Sequence, residues 1–91
     1  MNNAERIERL ERLIEEDVEI LSFVHDLGVF CSVRSMKLSN LINRKGGNAR
    51  DCLTYMVYET AERDLHDLEM VVKREKEAAE RKLAELKEAG K

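Results

Sequence analysis

Glu59, Glu62 and His66 are spaced three and four residues apart, which puts two carboxylates and an imidazole on one face of a helix. Metal centres in helical bundles are built from such faces. His25-Asp26-Leu27 recurs as His66-Asp67-Leu68, so a second helix offers another imidazole. The Glu-x-x-His pair typical of these centres is missing, however, because Arg63 stands three before His66 and Ser22 three before His25. The expectation is a plain hydrogen bond from His66 to Glu62, with no metal and no cofactor.

The thiols lead to the same kind of answer. Cys31 and Cys52 are too few for a disulfide framework or a four-cysteine zinc site, and neither has a histidine close in sequence. Cys52 falls in the first turn of an expected helix, where the dipole lowers a thiol pKa, but it also shares an apolar stripe with Met56. Both cysteines are expected to be reduced and packed as small hydrophobes. Gly46-Gly47 follows a helix and lacks the spacing of a phosphate-cradling loop. With only Phe23, Phe30, Tyr55 and Tyr58 as aromatics, no enzyme is expected.

Charge is sorted along the chain. Residues 1–27 carry three arginines against eight acids, and residues 27–50 carry no acid but hold Arg34, Lys37, Arg44, Lys45 and Arg50. Residues 51–69 reverse the sign, with six acids against Arg63. A basic stretch on an acidic protein points to an acidic partner, nucleic acid or protein. The plainer reading folds that stretch against residues 1–27 and neutralises it internally. The passage from Asn40 to Cys52 resembles a helix-turn-helix in outline, with a helix ending at glycine and a polar cap two residues on. Ile42, Lys45 and Gly47 depart from that pattern, acids crowd the helix that would enter a groove, and no β-wing follows.

These residues are positioned by helices. The 91-residue chain is 43% apolar and 38% charged, has no proline and has four glycines, a composition of a single all-α domain with few turns. Ile7, Leu10, Ile14, Val18, Leu21, Val24 and Leu27 mark a first helix over about 4–27, capped by Asn2 or Asn3 and closed by Gly28. A shorter helix is expected over 33–44, with Ser32 or Ser35 as cap and Gly46 as the residue able to take φ > 0. Asn48 then caps a long helix from about Ala49 to Ala89, with Asp51 in its first turn. At about 1.5 Å per residue this last helix is about 60 Å long, far beyond the ~13 Å radius of gyration of a compact domain of this size.

The expected architecture is therefore all-α: two shorter helices packed on the N-terminal half of a long C-terminal helix, completed as a bundle by homodimerisation. Residues 1–72 form the core domain, through Ile14, Val18, Leu21, Val24, Leu41, Leu53, Val57, Leu65 and Leu68. Residues 73–91 form a charged helical extension, because Glu75 and Lys76 interrupt the stripe after Val72 and Lys73, Glu77, Arg81 and Glu85 alternate in sign at i,i+4. Leu65, Leu68, Val72, Ala79, Leu83 and Leu86 are the candidate packing or dimer stripe. Arg34, Lys37, Arg44, Lys45 and Arg50 are the candidate partner- or phosphate-binding residues.

Function follows as a non-catalytic adaptor, scaffold or inhibitor binding a second copy and another protein through its helices. A small dimeric DNA-binding regulator is the first alternative, and a metal-dependent helical-bundle enzyme the second. No stretch is apolar enough to cross a membrane and no apolar signal core opens the chain, so a cytoplasmic protein is expected.

Overall fold

The computed structural model describes residues 2–90, which form two α-helices and no strand: α1 over Asn3–Lys45 (43 residues) and α2 over Ala49–Ala89 (41 residues). The all-α class stands, but two shorter helices on a longer one do not; the helices are nearly equal. The expected break at Gly28 is absent. Gly28 lies inside α1 with an ordinary helical φ, and neither Ser32 nor Ser35 is a cap. One interior glycine costs a helix about 1 kcal/mol. The continued i→i−4 ladder and the packing beyond it outweigh that.

The other helix ends follow from local chemistry. Asn2 accepts the Glu5 amide at 2.9 Å and Asn48 accepts the Asp51 amide at 2.9 Å, each side chain satisfying an amide that has no intrahelical partner. Gly46 takes φ +63°, and its amide donates to the Ile42 carbonyl at 2.8 Å, which closes α1 in the left-handed manner. At Gly47 the backbone passes so close to Ile42 that a Cβ there would lie 2.7 Å from Ile42 Cγ1.

Two compact units result, each a pair of antiparallel helical segments. In one, the chain up to Phe23 packs with the chain from Glu69 onward. Ile7, Leu10, Ile14, Asp17 and Leu21 face Val72, Lys76, Ala79, Leu83 and Leu86, in the register set by the Glu11 to Lys87 ion pair at 3.7 Å. Val72, Ala79 and Leu86 are buried. The expected solvated extension is thus corrected: from Lys73 on, α2 has its partner in α1. The ladder of Lys73, Glu77, Arg81 and Glu85 does not form. Lys73 instead pairs with Glu69 at 3.0 Å, Lys76 with Glu80 at 3.2 Å and Lys82 with Glu85 at 3.9 Å.

The second unit, Val24–Leu68, is a helical hairpin about the Gly46-Gly47 turn. Val24, Gly28, Cys31, Ser35, Leu38 and Ile42 line the seam from α1, and Asp51, Tyr55, Tyr58, Glu62 and Leu65 from α2. Steps of three and four alternate along both lists, the 3.5-residue period of coiled-coil packing. Read with that period, several expected core residues face outward. Val18, Leu41, Leu53, Val57 and Leu68 are exposed, Ile14, Leu21 and Leu65 are half-buried, and Val24 alone of that list is buried.

Candidate interaction surface

The Val24–Leu68 hairpin carries an inverted distribution of polarity. Its seam holds polar groups: Ser35 is buried and donates through Oγ to Glu59 Oε1 at 3.1 Å, and Glu62 presents a buried Oε1 with no hydrogen-bond partner. Tyr55 bonds Glu59, which with the nearby carboxylate charge raises the phenol above its usual pKa. Its outer faces hold large apolar side chains, with Val57 66%, Leu53 62% and Met56 61% exposed. Leaving such residues in water forfeits roughly 1.5–3 kcal/mol for each that burial would recover.

Two flanks can be told apart. On one, Arg34, Lys37 and Leu41 of α1 line a groove with Thr54 and Tyr58 of α2. Phe30 joins this flank, its ring 6.2 Å from that of Tyr58 in an edge-on arrangement, and the Arg34 guanidinium lies 5.2 Å over the Phe30 face as a cation–π contact. On the other flank, Ser39 and Asn43 meet Cys52, Tyr55 and Met56. A further groove runs along the outside of α2 through Leu53, Met56, Val57 and Ala61 to Asp64.

The aromatics thus exchange the places expected of them. Phe23 and Phe30 are exposed rather than filling the hairpin, whereas Tyr55 and Tyr58 are both half-buried. Cys31 is a buried free thiol, but Cys52 is exposed beside the Gly47 carbonyl, so the expectation that it packs inside is corrected. It occupies the position just beside the seam rather than in it.

The five basic candidates, Arg34, Lys37, Arg44, Lys45 and Arg50, are all exposed. Arg50 approaches Asp51 at 3.6 Å. Among the described residues the other four make no ion pair within 4 Å. Folding this stretch back on residues 1–27 is impossible, because both belong to one continuous helix. In the candidate stripe, Val72, Ala79 and Leu86 are buried, Leu65 and Leu83 half-buried, and Leu68 exposed.

No family model, curated protein or solved structure matches this chain. Its chemistry is therefore read from its own groups. Among the described residues no three His, Cys, Asp or Glu side chains converge as metal ligands. The expected His66 to Glu62 hydrogen bond does not form, and His25 and His66 are both exposed. No helix among the described residues is long and apolar enough to cross a membrane.

One polar feature escaped the sequence reading. Asp17 stands at a seam position of the first unit, 2% exposed, with Oδ2 unpartnered. A hydrogen bond to Asp17, reinforced by its charge, holds the Glu75 carboxyl above its usual pKa. The two carboxyls hold a proton between them because like charges this close disfavour double ionisation. The signal was present as an acid at the three-and-four spacing between Ile14 and Leu21, visible only once the period is taken as 3.5.

Proposed function

We propose that this chain is a non-catalytic helical interaction module that docks through the apolar outer face of its Val24–Leu68 hairpin. The observation that carries this reading is the exposure of Val57, Leu53 and Met56 on a hairpin whose own seam holds Ser35 and Glu62. Exposed apolar groups gathered on one element, with Arg34 at their rim, have the composition of a protein interface core. Two unpaired cysteines fit a reducing compartment, and we place the module in the cytoplasm.

The test is a photo-reactive benzoylphenylalanine at Val57, compared with the same probe at Arg63, another exposed residue of α2. Irradiation of the pure protein and of a cell extract containing it should give protein adducts at Val57 in excess over Arg63. Equal yields at both positions in both settings would overturn the docking face.

A DNA-binding regulator is the second reading, favoured by the unpaired charges of Arg44 and Lys45 beside the turn. It predicts duplex binding that weakens steeply as salt rises, because phosphate contacts release counterions. Fluorescence anisotropy with wild type and Arg44→Glu decides it. Absence of binding at low salt removes that reading.

A further inference from the structure

Along α1 of the Val24–Leu68 hairpin, Leu27, Phe30, Arg34, Lys37 and Leu41 follow one another at steps of three and four. Along α2, Thr54, Val57, Ala61, Asp64 and Leu68 do the same. The groove shared by Arg34, Lys37, Leu41 and Thr54 puts these two rows on the same flank. The flank is apolar along both rows, and its charge is split. The α1 row carries only bases, the α2 row carries the acid Asp64, and none of Arg34, Lys37 and Asp64 has an ion-pair partner among the described residues.

A surface with a basic row beside an acidic row complements a copy of itself turned about an axis parallel to the rows. The exposed area is of matching size. The chain leaves 6993 Å² accessible, whereas a compact chain of 10.6 kDa leaves about 5,500 Å². The surplus of roughly 1,500 Å² is ample for a homodimer, since standard interfaces take about 800 Å² from each partner and obligate ones more.

We infer that the occupant of this flank is a second copy of the chain, related by a two-fold axis parallel to the hairpin's helices, so that α1 of each copy packs on α2 of the other. The inference rests on the docking reading above and names its partner. The contact is isologous, so each pairing occurs twice. Phe30, whose height is fixed by its contact with Tyr58, meets Ala61 of the second copy, where a methyl group leaves room for a ring. Helical side chains lean toward their own N-terminus, so Arg34 leans away from the turn while Asp64 leans toward it. Across the dyad the two converge as a charge pair. Four helical segments around the flank make a bundle whose core holds Leu27, Phe30, Leu41, Val57 and Leu68.

Light scattering on a sizing column, run across the micromolar range, tests this with three proteins: wild type, Arg34→Glu and Asp64→Arg. Both positions are exposed, and circular dichroism checks that each variant keeps its helix. Wild type should show twice the 10.6 kDa chain mass. Each reversal should weaken self-association by more than about tenfold, because like charges then meet at both pairs. Mixing the two variants should restore the double mass. In the heterodimer the introduced carboxylate faces the introduced guanidinium at one pair, Asp64 faces Arg34 at the other, and both pairs attract.

Three results would overturn the inference: a single-chain mass for wild type throughout, a dimer indifferent to both reversals, or a mixture that stays monomeric. A monomeric wild type whose Val57 probe still captures another protein leaves the docking face standing and removes the second copy. No capture at all removes both.

Discussion

Replacing Gly28 by alanine should stabilise the protein, and the sign of the change decides how α1 is built. Gly28 lies in the helix interior with an ordinary helical φ, and a Cβ added there meets no heavy atom within 4 Å. Alanine therefore removes backbone entropy from the unfolded chain without a steric cost in the folded one. The gain is about 0.5–1 kcal/mol, the usual difference between glycine and alanine inside a helix. For a chain of this length that raises the melting temperature by about 2–8 °C. Urea denaturation followed by far-ultraviolet circular dichroism measures it, with wild type and variant at equal concentration so that any association contributes alike. If Gly28 instead closed a shorter helix in the left-handed region, alanine would cost about 1–2 kcal/mol. A lowered midpoint would refute the continuous helix.

Three further outcomes are expected. Asp17→Leu should raise stability by about 1–3 kcal/mol, because it replaces a buried seam carboxylate whose Oδ2 lacks a partner with an apolar side chain, and equilibrium unfolding at neutral pH reads it. Glu75 has its folded pKa raised by Asp17, so its contribution is fully present below the ordinary carboxylate value and is lost as pH rises through the raised one. Wild type should therefore lose stability relative to Glu75→Gln between mildly acidic and neutral pH, and parallel denaturation midpoints across that window would contradict the shared proton. Gly46→Ala places a side chain at φ +63° and should cost about 1–2 kcal/mol by the same denaturation assay, opposite in sign to Gly28→Ala.

The sequence made helices legible, and their ends where the chemistry is local. Asn2, Asn48 and Gly46 do what their side chains or φ preferences dictate, whatever else the chain does. Gly28 reads identically to Gly46 at the level of residue type, yet only one ends a helix. What separates them is distant: seam positions continue after Gly28, whereas after Gly46 the next residue is another glycine and a cap follows. The seam itself was misplaced because a 3.6-residue period collects Leu53 and Val57, while the 3.5-residue period of paired helices collects Tyr55, Tyr58 and Glu62. Leucine and valine weigh more than tyrosine and glutamate in any reading by hydrophobicity, so the polar seam was passed over. The basic residues were legible as charge, but their lack of intrachain partners is a matter of geometry alone.

The pairing pattern also orders events in time. Contacts in the Val24–Leu68 unit, such as Ser35 with Glu59, join residues close along the chain, whereas Glu11 with Lys87 joins residues separated by most of it. Loop closure costs more for the second kind, and contacts of low sequence separation form faster. Synthesis runs from the N-terminus, so the amphipathic stretch from Ile7 to Leu21 leaves the ribosome long before Val72, Ala79 and Leu86 exist to cover it. Until then its apolar edge is open to chaperones or to neighbouring nascent chains, while the turn-proximal hairpin can already close.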